Sequence, residues 1–162
     1  MKRLLLLLIL LSGFANAQDF SNKTLVYPFY PRTNGDILNT ATAEQICVKG
    51  YTKTVRHVTL SMRHKVFKIY GLRKGHYRGY EVDHIISLEL GGSNSMNNLF
   101  PQPYEVYISV NHVNMRMGAR EKDVVENNLH KKVCEGKMTL QEAQQIVLTD
   151  WVTYYLKLKK KI

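Results

Sequence analysis

Several features that define other classes of protein are scarce in this sequence. After residue 11 no apolar run approaches the roughly 20 residues that a membrane-spanning helix needs. The chain contains only two cysteines, Cys47 and Cys134, and they lie too far apart to resemble the paired ligands of a zinc site. No internal repeat or low-complexity block occurs after residue 17. The 162 residues are enough for one sizeable hydrophobic core, so we predict a single domain.

The N-terminus has the pattern of a secretory signal peptide over residues 1–17. The basic pair Lys2-Arg3 precedes an apolar run from Leu4 to Leu11, and Ala15-Asn16-Ala17 forms an A-x-A cleavage signal. The run is too short for a membrane anchor, and Gln18, rather than a cysteine, follows the predicted cut. We therefore expect an exported protein, periplasmic or secreted, with no membrane anchor after cleavage.

Acidic residues are also few. The chain has 13 Asp and Glu against 23 Lys and Arg, which gives a net charge of +10. The leader carries two basic residues and no acidic one, so the charge after cleavage is +8. A basic excess favours polyanionic partners such as nucleic acid. The alternative is that the charge only keeps an exported protein soluble.

The cysteine count predicts one disulfide, because disulfides persist in the oxidising compartments that exported proteins enter. A Cys47–Cys134 bond would close most of the domain into one loop. In the loop-entropy model such a bond stabilises the fold by roughly 4 kcal/mol. Neither cysteine lies in a recognisable nucleophile context.

Turn residues and periodicity predict the elements of the first two thirds of the chain. Residues 18–45 are polar and rich in turn signals, which indicates an irregular arm, and residues 46–58 are rich in Thr and Val, which favours a strand. Apolar residues recur at helical spacing from Ser61 to Gly71. Residues 80–90 favour a second strand, and a short return strand at residues 99–100 is expected to end at the prolines that follow.

The remainder of the chain reads as helical. Val125, Leu129 and Val133 follow one another at a spacing of four residues, and Gly136 is a suitable end for that helix. Thr139 and Glu142 form a capping box that opens the last helix. An apolar stripe on that helix is predicted to face the core; it comprises Leu140, Ala143, Val147, Trp151, Tyr154 and Leu158.

One stretch, YEVDHIISLELGGSNSMNNLFPQP at residues 80–103, concentrates residues that could carry chemistry. Taken alone, an acid beside a histidine is more often an ion pair or a partly buried hydrogen-bonded pair. Here Asp83-His84, Gly91-Gly92 and Asn98-Leu99 follow one another in a set order and resemble the motif of the HNH endonucleases. The blocks ICVKGYTKTVRHV, NLFPQPY, AREKD, LHKKVCEG and AQQIVLTDW are similar to a group of small exported bacterial HNH proteins.

The resemblance implies an α+β fold. Its centre would be a ββα-metal (HNH) core, with an additional N-terminal strand and helix and two C-terminal helices. The nuclease-like domain would span residues 46–162, after the signal peptide and the arm of residues 18–45.

The resemblance also implies a metal-dependent endonuclease that cuts DNA, or RNA, with little sequence specificity. An imidazole titrates near neutral pH, so His84 suits the general base. Asp83 offers a hard oxygen to a divalent cation, with Mg²⁺ expected and Mn²⁺, Ni²⁺ and Zn²⁺ as alternatives. Asn98 would hold the His84 segment through hydrogen bonds, in a supporting catalytic role.

Two positions depart from the family pattern. Ser87 stands where the motif usually has proline, and Ala119, which cannot bind metal, stands where the last motif residue is expected. The second metal ligand is therefore left open among Asn111, His112, Asn114 and Asp123. Four basic residues are candidate phosphate ligands, although a solvated loop or helix surface explains them as well; they are Arg73, Lys74, Arg78 and Lys122.

Two other functions stay open. A non-enzymatic nucleic-acid-binding protein would keep the fold but lack the chemistry, and the alanine at position 119 favours it. A structural or envelope-associated protein would use the Asp83-His84 pair only as a hydrogen bond, and its affinity for DNA would not depend on salt. The sequence does not specify an oligomeric state.

Overall fold

A computed structural model describes residues 35–110 and 113–160 of the protein. These residues form a mixed α+β fold with six α-helices and two small antiparallel sheets. The α+β class is thus as predicted. The predicted signal peptide and the arm up to residue 34 lie outside the described residues. Among the helices that the structure describes, none is both long enough and apolar enough to cross a membrane.

Two short helices occupy the segment for which the sequence predicts a strand, so that prediction is wrong. Helix α1 spans Ala43–Ile46 and α2 spans Tyr51–Val55, with Gly50 between them at φ 88°. Thr42 opens α1 with a capping box. A helix of one turn is too short to show helical periodicity, so the Thr and Val content of the segment was read as strand propensity.

The next predicted helix is present as α3, which spans Leu60–Ile69. The Thr59 hydroxyl accepts a hydrogen bond from the Met62 amide at its start. Val66 and Phe67 are buried, and Gly71, at φ 75°, follows the helix end. The basic segment after it, predicted as a loop, forms a 3₁₀ helix over Lys74–Gly79.

Strands β1, Tyr80–His84, and β2, Leu99–Pro103, pair antiparallel. β1 is shorter than predicted, because a 3₁₀ turn forms at Leu88–Leu90. β2 is longer, since it continues through Pro101 and Pro103, which were predicted to end it. The Ile85 amide donates to the Asn98 carbonyl and the Tyr104 amide to the Gly79 carbonyl, which fixes the alternation of hydrogen-bonded pairs. Both prolines fall at the non-hydrogen-bonded positions, where a strand does not need an N–H.

A second hairpin follows where the sequence predicts only helix. β3, Val106–Val110, pairs antiparallel with β4, Val113–Met117. Val106 and Met117 are buried, whereas Tyr107 and Arg116 between them are exposed. This alternation of period two is the sequence signal that marks the hairpin.

The C-terminal helices form the apolar layer of the fold. Helix α4 spans Ala119–Cys134, α5 spans Leu140–Thr149 and α6 spans Trp151–Leu158. The predicted last helix is thus two helices, because Asp150 leaves helical geometry and caps α6 by accepting from the Thr153 amide. The predicted capping box of Thr139 and Glu142 is present. The predicted stripe is buried over its first four residues and half-buried at the last two.

The predicted disulfide between Cys47 and Cys134 is also present. It ties the end of α1 to the last residue of α4. The N-terminal helices are thereby held against the helical layer, and strand β1 lies beside α4, where the Lys122 ammonium contacts both Asp83 and the His84 carbonyl.

Candidate functional site

Asp83 and His84 both line one cleft of about 230 Å³ at the end of β1, which we call the acidic cleft. Neighbouring residues within a strand point to opposite faces. His84 is the last residue of β1, and both residues nevertheless line the same cavity. The cleft is completed by α2 and α4 and by the loop after β1; its other lining residues are Thr52, Arg56, Ser87, Leu88, Glu89, Asp123, Glu126 and Asn127.

His84 is buried and is held by Asn94. Its Nε2 lies 3.3 Å from the Asn94 Oδ1. Asn94 is itself oriented, because its Nδ2 donates to the Val55 carbonyl at 2.7 Å and its Oδ1 accepts from the His57 amide at 3.0 Å. Since Oδ1 can only accept, Nε2 must carry the proton, and the lone pair of the neutral ring is then on Nδ1.

Burial also sets the protonation state of His84. It lowers the pKa of the imidazole below its ordinary value, although the Asp83 carboxylate and the Asn94 hydrogen bond act in the opposite direction. The ring is therefore neutral near neutral pH, which is the form that a general base needs.

Lys122 lies under the site as a buried counter-ion with 1% of its surface exposed. Its ammonium donates to Asp83 Oδ2 at 2.8 Å, to the His84 carbonyl at 2.7 Å and to Glu126 Oε1 at 2.5 Å. Burial lowers the pKa of Lys122, but the Asp83 and Glu126 carboxylates outweigh burial and raise it, so the ammonium stays charged. All three of its N–H groups have protein partners. The predicted phosphate contact of Lys122 would require one of these bonds to break.

Asn98 fastens the loop after β1. Its Oδ1 accepts from the Ile86 amide at 2.9 Å, and its Nδ2 donates to the Ile86 carbonyl at 2.9 Å and the Ser93 carbonyl at 2.8 Å. The amide also accepts from the Asp36 backbone at 3.3 Å. Asn98 thus holds the backbone two residues after His84, and its part in catalysis stays a prediction.

The two glycines of the motif are required by the backbone. Gly91 has φ 77°, a conformation that side chains rarely allow. At Gly92 a Cβ would lie 1.7 Å from the Ile86 carbonyl oxygen. The turn can therefore fold back on the His84 segment only with glycine at both positions.

Four carboxylates line the acidic cleft. Asp83, Glu89, Asp123 and Glu126 all line it. Burial, with repulsion from Asp83, raises the pKa of Asp123, and burial, with repulsion from Asp123, raises the pKa of Glu89. Burial likewise raises the pKa of Glu126. Carboxylate oxygen is the ligand type that Mg²⁺ prefers, and a cation in this cleft stays a prediction.

Ser87 lines the same cleft and has an unpartnered hydroxyl. The residue is 8% exposed, and its Oγ has no hydrogen-bond partner among the residues that the structure describes. A buried hydroxyl without a partner costs free energy. The HNH motif usually has proline at this position, and proline has no hydroxyl to donate a hydrogen bond.

A second cavity of about 360 Å³ adjoins the acidic cleft, and we call it the aromatic groove. It shares Arg56, Asp83 and Asp123 with the cleft. Its other aromatic and basic lining residues are Arg63, Phe67, Tyr77, Tyr80 and Tyr104. Glu81 also faces the groove, and burial, with repulsion from Asp83 and Asp123, raises its pKa to about 7.

The predicted ligand candidates are distributed unevenly. Asp123 on α4 lines the acidic cleft beside Asp83. Asn114 is exposed on β4 and lines neither cavity, while Asn111 and His112 lie outside the described residues. Ala119 is buried at the start of α4, and its methyl side chain offers no metal ligand at that position.

The predicted phosphate ligands Arg73, Lys74 and Arg78 are exposed in and just before the 3₁₀ helix that precedes β1. None of the three lines the acidic cleft or the aromatic groove. Their contact with phosphate stays a prediction. Arg56 and Arg63, which sequence reasoning did not single out, are the arginines that line these cavities.

Sequence reasoning missed Asn94, Arg56 and Asn127 as site residues. Asn94 lies in the asparagine-rich turn, where its identity gave no sign that it would meet a histidine ten residues earlier. Arg56 follows a segment predicted as a strand. Asn127 follows Asp123 by one helical turn, so helical spacing could have placed both on one face.

Within the described residues, one group of three His, Cys, Asp or Glu side chains has ligand atoms close enough together to hold a metal ion, and the carboxylates of the acidic cleft do not form such a group. Cys47, His130 and Cys134 have ligand atoms that all lie within 4.8 Å of one another. The two sulfurs are joined in the disulfide, so they are not available as thiolate ligands.

The chain matches no model of a known protein family, no curated protein and no solved structure. The resemblance to the HNH endonucleases therefore stays a prediction that depends on the motif residues.

Proposed function

We propose that this protein is a metal-dependent endonuclease of the ββα-metal (HNH) class that hydrolyses phosphodiester bonds of DNA, or of RNA, with little sequence specificity. One observation carries the proposal: a buried imidazole, His84, lines the same cleft as Asp83 and further carboxylates. The order of β1, β2 and α4 is that of a strand, strand and helix unit, with the β3–β4 hairpin before the helix. Hydrolysis of a phosphodiester needs a base and stabilisation of developing negative charge, and this cleft has candidates for both.

His84 is the proposed general base. The Asn94 hydrogen bond holds the ring by Nε2, and Nδ1 then takes a proton from the attacking water. Asn98 and the Lys122 contact with the His84 carbonyl hold the backbone at that point, so the ring has little freedom to move away from the cleft. Such fixed positioning lowers the entropic cost of reaching the transition state.

Asp83 and Asp123 are the proposed ligands of a divalent cation, which we expect to be Mg²⁺. The pair comes from different elements, β1 and α4, and both side chains line the acidic cleft. A cation held by these two carboxylates would supply positive charge that stabilises the negative charge developing on the phosphate. The unpartnered Ser87 hydroxyl is a further proposed donor to a phosphate oxygen.

Export is part of the proposal. The signal-peptide pattern of residues 1–17 supports it, and so does a disulfide between cysteines 87 residues apart, since disulfides persist mainly in oxidising compartments. A nuclease that acts outside the cytoplasm would also not meet the chromosome of its own cell.

A second candidate is a nucleic-acid-binding protein without catalytic activity, and one observation favours it. Both oxygens of Asp83 already have protein partners, because Oδ1 accepts from the His84 amide at 2.7 Å and Oδ2 from Lys122 at 2.8 Å. In that case the ion pair with Lys122 would replace a metal.

A cleavage assay distinguishes the two candidates. Purified protein is incubated with supercoiled plasmid DNA, and separately with RNA, in EDTA or in Mg²⁺, Mn²⁺, Ni²⁺ or Zn²⁺. The nuclease proposal expects cleavage only with a cation, and a loss of about 100- to 10,000-fold in the His84→Ala variant. His76→Ala, at an exposed histidine that lines neither cavity, is the matched control and should retain activity.

Two results would contradict the proposal. DNA binding without cleavage in every cation would favour the second candidate. Full activity of a folded His84→Ala protein would exclude the mechanism, even if cleavage by the wild type were confirmed.

A further inference from the structure

We propose that the aromatic groove holds one unpaired nucleotide next to the scissile phosphate, so that the preferred substrate is single-stranded nucleic acid. This inference deepens the proposed function and rests on it for the position of the scissile bond. The groove and the acidic cleft share Arg56, Asp83 and Asp123, so a strand that occupies one continues directly into the other.

The groove has a rigid aromatic wall. The Tyr77 ring is stacked on the buried Phe67 ring, with centroids 4.2 Å apart and planes at 15°, which fixes its orientation. Tyr104, which follows β2, is 47% exposed although it lines the groove. An accessible tyrosine at a groove of this kind is a surface on which a base can stack, and stacking does not depend on which base is present.

Two arginines supply positive charge for a phosphate in a groove that is also lined by three carboxylates, those of Glu81, Asp83 and Asp123. Arg56 and Arg63 are exposed at the groove, and neither has an ion-pair partner among the described residues. A guanidinium binds phosphate oxygens through paired N–H groups. Because Arg56 lines both cavities, it lies where it could contact the phosphate between the stacked nucleotide and the scissile bond.

The size of the groove favours one nucleotide over a base pair. Its volume of about 360 Å³ is at the lower end of the roughly 300–1,000 Å³ of pockets that enclose small molecules. In a duplex the base faces are covered by neighbouring bases, and a base would have to leave the stack to enter the groove. A single strand avoids that cost, and the preference for single strands follows.

Binding without metal tests the inference independently of catalysis. Fluorescence anisotropy in EDTA compares a labelled 12-nucleotide single strand with a blunt duplex of the same sequence. We expect the single strand to bind about tenfold more tightly. Tyr104→Ala should weaken single-strand binding by about tenfold, or about 1.4 kcal/mol, the size of one base–aromatic stack. Tyr104→Phe should keep the affinity, and single-stranded DNA and RNA of the same sequence show which sugar is preferred.

Matched controls separate stacking from general loss of surface. Tyr107 on β3 is 72% exposed and does not line the groove, so Tyr107→Ala should leave binding unchanged. The wild-type protein should bind a single strand of abasic nucleotides about tenfold more weakly than the normal single strand. The Tyr104→Ala variant and the wild type should bind the abasic strand equally well. Arg63→Gln should reduce the dependence of log affinity on log salt concentration by about 0.7, as expected for one phosphate contact with a single strand.

Each outcome has a defined meaning. Equal affinity for duplex and single strand, or equal losses in Tyr104→Ala and Tyr107→Ala, would overturn the inference and leave the nuclease proposal intact. The expected binding pattern without cleavage in any cation would overturn the nuclease proposal, and the groove would then be a binding site only.

Discussion

The acidic cleft and the layer formed by α4, α5 and α6 share a helix but differ in what they bury. Around the cleft most of the buried residues are polar, although Leu88 is apolar; the polar ones are His84, Ser87, Asn98, Lys122 and Glu126. In the helical layer they are apolar, and examples are Leu129, Val133, Ala143, Val147 and Leu156. Helix α4 contributes to both, because Glu126 lines the cleft and Lys122 contacts Asp83, while Leu129 and Val133 belong to the apolar layer.

The difference concerns how specific the stabilising contacts are. An apolar side chain gains free energy from any apolar neighbour, so the helical layer tolerates changes of partner. A buried polar group must meet a particular partner, since an unpaired one costs about 1–3 kcal/mol and an unpaired buried charge costs more. Single substitutions should therefore have larger and more specific effects at the cleft than in the layer.

The largest expected effect on stability comes from the covalent link between the N-terminal helices and α4. Replacing Cys47 and Cys134 by serine should lower the free energy of unfolding by about 4 to 5 kcal/mol, because the unfolded chain gains the freedom of an 87-residue loop. Urea denaturation followed by circular dichroism measures the change. Each single variant should lose as much free energy of unfolding as the double variant, because either substitution removes the disulfide. A loss below about 1 kcal/mol would contradict the prediction.

The next effect tests the polar network directly. Lys122→Met should lower the free energy of unfolding by about 3 to 4 kcal/mol, since it leaves Asp83 and Glu126 without their buried counter-ion. Lys131→Met, at an exposed position of the same helix, is the control and should change stability by less than about 0.5 kcal/mol. Adding Glu126→Gln to Lys122→Met should restore part of the lost free energy of unfolding. If the losses of the two single variants instead added up in the double variant, the Lys122 and Glu126 side chains would not be energetically coupled.

Ser87 should separate stability from function. Ser87→Ala removes a buried hydroxyl that has no partner within the described chain, so stability should stay equal or rise by about 1 kcal/mol. If the hydroxyl binds phosphate, the variant should cleave DNA about tenfold more slowly, the equivalent of one lost hydrogen bond to a charged group. Thermal melting and the cleavage assay are measured on the same sample. Unchanged cleavage would exclude the phosphate role of Ser87.

The smallest effect is expected in the helical layer. Thr139→Ala removes the cap of α5 and should cost about 1 kcal/mol of stability without changing cleavage. Thr139→Ser keeps the hydroxyl and is the matched control. If cleavage activity fell by more than the loss of folded protein accounts for, the helical layer and the acidic cleft would be more closely coupled than their chemistry suggests.

Periodicity and capping residues were the reliable sequence signals. They predicted α3, the buried face of α4, the capping box of α5 and the burial of the stripe as far as Trp151. They did not predict the break at Asp150, where a cap interrupts a continuous apolar stripe. They also misread residues 46–58, because two helices of four and five residues are too short to show a period.

Prolines in β2 show how pairing overrides a local rule. Pro101 and Pro103 were expected to end the strand because they lack an N–H. The register with β1 places both at positions where no ladder bond is made, so the missing N–H has no cost there. The register is a property of two strands together and is not written in either one.

The amino-acid sequence by itself determined the α+β class, the two cysteines that pair, the amphipathic helices and the motif residues Asp83, His84 and Asn98. The cysteine pair and the amphipathic helices follow from composition and local spacing, whereas the α+β class and the motif residues follow from the resemblance to the HNH motif. Tertiary structure alone decided that Asn94 fixes the tautomer of His84, that Lys122 is buried beneath Asp83, and that Asp123 and Arg56 reach the same cleft. The physical reason is that a buried polar side chain is stabilised by the partner it meets in space, and that partner lies on another element at an unpredictable distance along the chain.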